Sequence, residues 1–151
     1  MPGPNVRVAG IALRGNEVLL HRRKCESVWA LPGGRVEAGE TASFALVREL
    51  SEELGCTAVS GNLLYVVENF FPHAGESLHE VGLYFQVALE PTSAALSAAN
   101  VFTGSEADLE FQWFQRHELA AANLRPPFLV RALACTELEF EHVVEHQSAG
   151  I

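Results

Sequence analysis

Three glutamates recur at helical spacing near the middle of the chain: Glu49, Glu52 and Glu53. Because an α-helix advances about 100° per residue, their side chains fall within an arc of about 100° on one side of the helix. Carboxylates at positions i, i+3 and i+4 repel one another, and near the carboxyl end of a helix they also oppose its dipole. The arrangement therefore predicts that a cation binds there.

Carboxylate oxygens suit a hard divalent cation such as Mg²⁺ or Mn²⁺. Such an ion usually keeps several water ligands and bridges to phosphate oxygens instead of being enclosed by protein. The alternative interpretation is that the three acids form an ordinary solvated face, which is the commoner role of adjacent glutamates on a helix. The residues around the helix decide between these two interpretations.

The helix that carries the acids is delimited on both sides. Thr41 is a predicted N-cap, since its hydroxyl can accept from a free backbone N–H of the first turn. Gly55 stands where a left-handed residue would end the helix, so the predicted bounds are about Ala42 to Leu54. An apolar stripe at i, i+4 and i+8 lies about a third of a turn from the acids and is predicted to pack on a sheet. It consists of Leu46, Leu50 and Leu54.

A longer pattern surrounds this helix. It begins at Gly34, continues through five residues to Glu40 and seven more to Arg48, and ends in RELSEELGC over residues 48–56. This fits the signature G-x5-E-x7-R-E-U-x-E-E-x-G-U, where U is a bulky apolar residue. Only Cys56 is small for its position. The segment resembles the signature of the Nudix hydrolase family.

The resemblance implies an α/β fold, specifically an α/β/α sandwich with a mixed β-sheet. It also implies that the carbonyl of Gly34 joins the three glutamates as a metal ligand. The implied activity is a Mg²⁺-dependent (or Mn²⁺-dependent) hydrolysis of a phosphoanhydride, or pyrophosphate, bond in a nucleoside diphosphate linked to another moiety. A (d)NTP pyrophosphatase, a dinucleoside polyphosphate hydrolase and a non-catalytic module that senses a nucleotide stay open as alternatives. Loss of motif acids would favour the sensor, and none is lost here.

Further catalytic candidates come from the motif and from a later loop. Arg48 is predicted to pair with Glu40 across the loop and to orient the helix. The motif leaves the general base open, because in this family it is a helix glutamate or an acid from a loop. We prefer Glu106, since it follows the Ala- and Ser-rich stretch 91–104, which is predicted to be a mobile loop over the site. Glu80 and the helix glutamates are the alternatives.

Candidate substrate-binding residues lie on either side of the motif. Arg22, Arg23 and Lys24 form a basic cluster in an otherwise acidic chain. Such a cluster is most often solvated surface, but its position just before the motif favours phosphate contact by Arg22 or Arg23. Trp29 either stacks on a base or fills the core, and core filling is favoured. Phe71 completes the substrate-binding set.

Length and composition indicate one globular domain over residues 1–151, with 48% apolar and 19% charged residues. No run approaches the ~20 apolar residues of a membrane span, and the start lacks a basic segment followed by an apolar core. We therefore expect a cytoplasmic protein. Three widely spaced cysteines, Cys25, Cys56 and Cys135, indicate reduced thiols and not a disulfide framework or a zinc site.

The net charge of −9 argues against a sequence-independent nucleic-acid binder, which would carry a basic face. A polyanionic substrate would need metal ions and local arginines to overcome the repulsive field of the protein. The expected partner is therefore a nucleotide-derived small molecule, with no nucleic acid and no membrane. A homodimer stays open, since members of the family often form one.

Strand patterns flank the central helix. Before it, residues 5–14 and 17–21 predict a hairpin that turns at Gly15-Asn16. After it, two long strands are predicted over 62–71 and 79–90, with a turn between them. The later part predicts a short strand ending in Trp113-Phe114, a short helix over 116–122, a helix from Pro126 to about Cys135 and a strand over 138–144. Similarity to the family extends to the segment Glu110 to Trp113 and to His117-Glu118-Leu119. Strands around one central helix, with further helices late in the chain, indicate a mixed sheet between helices.

Overall fold

The computed structural model describes residues 3–147. In this part of the chain two α-helices and eight strands alternate with two short 3-10 helices, Ala94–Ser97 and Arg116–Ala122. The α-helices are α1 (Ala42–Leu54) and α2 (Phe128–Ala134). The strands are β1 (Asn5–Arg14), β2 (Glu17–Arg23), β3 (Gly33–Arg35), β4 (Ala58–His73), β5 (Glu76–Leu89), β6 (Phe102–Thr103), β7 (Leu109–Gln115) and β8 (Glu141–His146). No helix among these residues is long and apolar enough to cross a membrane.

The strands form one mixed sheet in the order β6-β7-β2-β1-β5-β4-β8, and β3 pairs with β1. The pairs β1–β5 and β4–β8 are parallel, and the other pairs are antiparallel. Strand β1 pairs with β2 only at residues 13–14, whereas β3 takes the same edge of β1 at residues 7–9. Strands β1 and β2 therefore diverge, and the opening between them is available for a site.

A helix covers each face of the sheet. On one face Leu46 and Leu50 of α1 join a buried cluster, and on the other face Leu129 and Leu133 of α2 pack in a second cluster that includes Tyr65. Burial of these apolar stripes is the main favourable contribution to the packing of helices on a sheet. The predicted α/β/α sandwich with a mixed sheet is confirmed.

Both hairpins have turns that require positive φ. The β1–β2 turn occurs at the predicted place, with Gly15 at a φ of 60°. Strands β4 and β5 are longer than the sequence predicted, and they are joined by the two residues Ala74 and Gly75, whose φ values are 51° and 79°. Two consecutive positive φ values are what a tight two-residue hairpin needs, so strand pairing extends into residues 72–78, where the sequence predicted only a turn.

The stretch 91–104 differs from its prediction as a loop over the site. It contains the 3-10 helix Ala94–Ser97 and strand β6, and it is tied to the sheet by hydrogen bonds. The indole N–H of Trp113 donates to the carbonyl of Ala95 at 2.8 Å, and Arg14 donates to the carbonyl of Leu96 at 3.1 Å. These residues pack against the edge of the sheet, where their carbonyls are satisfied by buried donors.

The predicted strand over 138–144 is also placed differently. Strand β8 begins at Glu141 and runs to His146, while Leu138 packs against the core before the strand starts. The alternation of apolar residues that suggested an earlier start combines Leu138, which packs against the core, with Phe140, which is exposed.

Candidate active site

A cavity of about 980 Å³ opens where β1 and β2 diverge. We call the part lined by Gly34, Glu49, Glu53 and Glu106 the acidic end. The part lined by Asn69, Glu80 and Gln147 is called the far end.

Local sequence fixes the position of α1. The hydroxyl of Thr41 accepts from the backbone N–H of Phe44 at 3.2 Å, as expected of an N-cap. At the other end Gly55 has a φ of 70° and its N–H donates to the carbonyl of Ser51. With the leucine stripe buried on the sheet, Glu49 and Glu53 point towards the cavity.

Arg48 pairs with Glu40 as the sequence predicted. Its Nε lies 2.6 Å from one carboxylate oxygen of Glu40 and its Nη2 lies 2.8 Å from the other. The hydrogen bonds from Arg48 lower the pKa of Glu40 to about 2 and raise the pKa of the guanidinium. A third contact, from Nη2 to the carbonyl of Arg35 at 3.3 Å, joins this pair to β3. The loop before α1 is thus fastened to the helix by a bidentate ion pair.

The carboxyl group of Glu49 lies directly against Gly34. A Cβ at position 34 would overlap that carboxyl group, so a larger residue there would displace the Glu49 carboxylate. Burial raises the pKa of Glu49, and the charges of Glu53 and Glu52 act in the same direction, while Arg48 opposes the shift. A carboxylate in this environment is favoured in its ionised form when a cation binds beside it.

Glu53 is the most buried of the three motif glutamates, with 5% of its surface exposed. Its Oε2 lies 3.4 Å from Nδ1 of His21, and neither atom makes a hydrogen bond to residues 3–147. A buried carboxylate oxygen without a partner costs free energy unless a cation or a donor reaches it. The unpartnered oxygen of Glu53 and the close approach of Glu49 to Gly34 therefore fit a hard divalent cation at the acidic end.

Glu52 is oriented differently from its two neighbours. Its side chain is 51% exposed, lies 3.3 Å from Nη1 of Arg48 and does not line the cavity. Within residues 3–147 no three acidic, histidine or cysteine side chains are gathered closely enough to hold a metal ion. The expected convergence of three carboxylates is thus seen for Glu49 and Glu53 only, while Glu52 lies beside Arg48 on the exposed side of the helix.

Both candidate bases outside the helix line the cavity, but in different parts of it. The backbone N–H of Ser105 donates to the carbonyl of Glu53 at 2.8 Å, and Gly104 packs so closely on the same carbonyl that a Cβ would overlap it. This contact holds the exposed Glu106 beside the acidic end. Glu80, in contrast, lies on β5 at the far end.

The basic cluster contributes two arginines to the cavity wall. Arg22 binds Glu110 on β7 through Nε at 2.7 Å and stacks over the ring of Trp29, and Arg23 pairs with Asp108. Both arginines line the cavity. Each is already paired with a carboxylate, which fixes the direction of its guanidinium.

Trp29 does not line the cavity and is 6% exposed. Its ring meets Phe114 edge to face at 4.9 Å, and its backbone bridges to Leu124. Trp29 therefore packs in the core, which is the alternative that the sequence favoured, and its stacking on a base stays a prediction. Phe71, the remaining aromatic candidate, does line the cavity.

Polar side chains from distant parts of the chain meet at the far end. Asn69 is 5% exposed, and its Oδ1 accepts from Nε2 of Gln147 at 2.8 Å. Glu80 is the cross-strand neighbour of Asn69. Burial raises the pKa of Glu80, while the charges of Arg7 and Arg35 oppose the shift.

Comparison with known proteins decides the family, because the NUDIX domain family matches residues 3–132. The chain belongs to the Nudix family. An ADP-ribose pyrophosphatase of Methanocaldococcus jannaschii is 39% identical over 85 residues, which cover 54% of this chain and 49% of that protein. An 8-oxo-dGTP diphosphatase of Escherichia coli is 38% identical over 71 residues, which cover 44% of this chain and 55% of that protein. The matches thus span about half the length of these two relatives.

The fold of this Nudix chain also resembles solved structures. A NUDIX hydrolase from Nitrosomonas europaea superposes with a TM-score of 0.70, covering 97% of this chain and 81% of that chain at 24% identity. At this identity the likeness concerns the fold alone.

Several cavity residues of this Nudix domain were not singled out from the sequence, among them His21, Asn69 and Gln147. His21 had a detectable signal, since it is a polar ring that directly follows the buried apolar run over residues 18–20. Asn69 and Gln147 had none, because nothing in the spacing of two amides 78 positions apart indicates that they meet.

Proposed function

We propose that this Nudix domain hydrolyses a phosphoanhydride bond in a nucleoside diphosphate linked to another moiety. The observation that carries the proposal is the buried, unpartnered carboxylate oxygen of Glu53 beside Glu49, which itself packs on Gly34. This arrangement fits a cation, and a cation at that position would face the cavity. The names of the two relatives, an ADP-ribose pyrophosphatase and an 8-oxo-dGTP diphosphatase, support the same class of bond.

The proposed cofactor is Mg²⁺ or Mn²⁺, held by Glu49, Glu53 and the carbonyl of Gly34. Glu52 completes the proposed ligand set when its exposed side chain turns from Arg48 towards the ion. When bound, such an ion neutralises the negative charge of the phosphate groups. The ion pair between Arg48 and Glu40 holds α1 with Glu49 and Glu53 on its cavity side.

The remaining residues orient the substrate and move a proton. Arg22 and Arg23 face the cavity and donate to phosphate oxygens, while their pairing with Glu110 and Asp108 holds them in place. Glu106 accepts the proton of the attacking water, since it is the exposed acid next to Glu53. Because Glu106 is exposed, its side chain is free to approach a water at the acidic end when substrate is bound.

A (d)NTP pyrophosphatase is the second candidate, favoured by the name of the Escherichia coli relative. It would use the same acidic end and release pyrophosphate. The net charge of −9 supports a small nucleotide derivative over a nucleic-acid polymer as the partner. We retain the single domain over residues 1–151, the cytoplasmic location and the open choice between monomer and homodimer as proposals, which cell fractionation and light scattering would test.

A substrate screen tests the proposed function. Nucleotide sugars, ADP-ribose, dinucleoside polyphosphates and (d)NTPs are incubated with the protein and Mg²⁺ or Mn²⁺, and the products are identified by mass. The expected result is cleavage of an anhydride bond that stops when EDTA is added. Glu37→Gln is a matched control, because Glu37 is an exposed acid of the same loop that does not line the cavity. Absence of cleavage of every compound by the folded protein would contradict the proposal.

A further inference from the structure

The far end holds two polar groups that the proposed reaction does not use. Asn69 and Glu80 are neighbours on adjacent antiparallel strands, and both side chains line the cavity. Polar groups in such a position are normally satisfied by protein partners or by a ligand. A ligand in this part of the cavity can satisfy both of them.

The amide of Asn69 presents a hydrogen-bond donor to the cavity. Its Oδ1 is occupied by Nε2 of Gln147, and the backbone N–H of Gln147 in turn donates to the carbonyl of Phe70. The Nδ2 group of Asn69 makes no hydrogen bond to residues 3–147. Because Gln147 takes the oxygen, the remaining N–H groups of Asn69 are available to a ligand acceptor.

The carboxylate of Glu80 presents two acceptors beside that donor. It makes no hydrogen bond or ion pair with other described residues, although it is partly buried. Burial raises the pKa of Glu80, and the charges of Arg7 and Arg35 oppose that shift. An ionised carboxylate can only accept, and its two oxygens can take two adjacent N–H donors.

Strand register separates this pair from the acidic end. Gly34, which touches Glu49, pairs with Val8 of β1, and Val8 pairs with Leu83 of β5, so two strand spacings separate Gly34 from Leu83. Glu80 precedes Leu83 by three residues on β5. With about 4.8 Å between strands and about 3.3 Å per residue, the α-carbons of Gly34 and Glu80 are about 14 Å apart. In a nucleotide the ribose separates base from phosphates, so a substrate with its phosphates at the acidic end can place its base here.

We propose that Asn69 and Glu80 recognise guanine, so that the substrates are guanine nucleotides. Guanine carries an acceptor, O6, next to two donors, N1–H and the N2 amino group, which complements one donor and two acceptors on the protein. Adenine and cytosine pair a donor with an acceptor on the same edge, and uracil has a single donor between two acceptors. Each of these bases would leave an oxygen of Glu80 unpaired or facing another acceptor. This inference rests on the proposed function for the position of the phosphates.

The walls near this pair suit a flat ring. Phe71 follows Asn69 on the same face of β4, and Pro126 lines the cavity from the segment before α2. Apolar and aromatic side chains of this kind commonly stack on a base while polar groups read its edge. The far end thus offers both a surface for the ring and a specific edge.

Binding of nucleoside monophosphates tests the proposal without turnover, since these compounds contain no anhydride bond. Titration calorimetry with Mg²⁺ compares GMP, IMP and AMP. IMP lacks only the N2 amino group, so it isolates one of the two hydrogen bonds to Glu80. We expect GMP to bind at least about tenfold more tightly than IMP or AMP, the discrimination typical of bidentate recognition of a base edge. Equal affinities for GMP and AMP in the unaltered protein would overturn the proposal, and this arm needs no variant.

Two substitutions sharpen the test. Glu80→Gln and Asn69→Asp are each expected to lower the affinity for GMP at least about tenfold and the affinity for AMP much less. Glu76→Gln, an exposed acid on the same strand outside the cavity, is the matched control and should keep the preference for GMP. An equal loss of affinity for GMP and for AMP in Glu80→Gln would overturn the proposal.

The outcomes separate this inference from the proposed function. Equal turnover and binding of adenine and guanine compounds would leave the hydrolase intact and overturn guanine recognition. A preference for GMP in a protein without hydrolase activity would leave guanine recognition intact and overturn the proposed function.

Discussion

The two ends of the cavity are built in contrasting ways. The acidic end takes its central residues from one stretch of chain, from Gly34 to Glu53, in which a single helix and its loop set the geometry. The far end takes Asn69 from β4, Glu80 from β5 and Gln147 from the segment after β8. The first can be encoded by spacing along a helix, while the second exists only when the sheet has formed.

The chemistry of the two ends differs in the same way. The acidic end carries surplus negative charge that a cation would relieve, and it would meet phosphates, which all nucleotides share. The far end carries an oriented amide and a carboxylate, which can distinguish one base edge from another. Changes at the acidic end should therefore affect all substrates alike, whereas changes at the far end should alter the choice among them.

The largest expected effect is at the acidic end. Glu53→Gln and Glu52→Gln should each lower kcat by at least about a hundredfold for every substrate, because each removes a proposed metal ligand. The fold should survive, since relief of like-charge repulsion on α1 does not destabilise it. Steady-state kinetics together with circular dichroism check this prediction, with Glu37→Gln as the control. Near-normal turnover in both variants would remove the metal site from the acidic end.

Glu106→Gln should lower kcat by about a hundredfold, the lower range for loss of a general base. Since Glu106 is not a proposed metal ligand, the affinity for Mn²⁺, measured by the electron paramagnetic resonance signal of the free ion, should stay within about twofold. If Glu106→Gln keeps full kcat while Glu80→Gln or Glu49→Gln abolishes it, Glu106 is not the general base.

His21 should matter for metal affinity through Glu53. Replacement by leucine removes the ring nitrogen 3.4 Å from the Glu53 carboxylate, so the affinity for Mn²⁺ should fall by about tenfold. The affinity is measured on substrate-free protein, and His21→Asn, which keeps a donor, should restore part of it. Asn69→Asp at the far end is the contrasting variant and should leave the affinity for Mn²⁺ within about twofold. An equal loss in both variants would show that the two ends are not separable.

The smallest effect concerns the ion pair that fastens the acidic end. The pKa of Glu40 is about 2 in the folded protein against an ordinary value of 4.5. A lowered folded pKa stabilises the fold above pH 4.5, and this stabilisation is lost as the pH falls from 4.5 towards 2. The difference in Tm between the unaltered protein and Glu40→Gln should therefore be constant near neutral pH. It should shrink towards zero as the pH falls from 4.5 to about 2.

Thermal melts at a series of pH values measure this difference. Glu139→Gln, at an exposed acid that makes no ion pair with residues 3–147, is the control and should match the unaltered protein throughout. A difference for Glu40→Gln that persists at pH 2 would show that the ion pair is not its source.

The sequence by itself determined the bounds of α1, the pairing of Glu40 with Arg48 and the direction of Glu49 and Glu53. Each of these depends on spacing within one helix and its loop, where the period of 3.6 residues sets the direction of a side chain. Apolar patterns also indicated the mixed sheet and its long strands, since burial imposes a period that can be read without a partner.

Tertiary structure decided the rest, because a residue's position in its own element does not reveal which element faces it. The contact of His21 with Glu53 depends on how closely β2 approaches α1, and the burial of Trp29 depends on Phe114 of β7. The stretch 91–104 is polar enough to suggest a free loop, yet donors from Trp113 and Arg14 hold it at the edge of the sheet. The pair of Asn69 and Glu80 follows from the register of β4 and β5, in which a shift of one residue would turn their side chains to the opposite face.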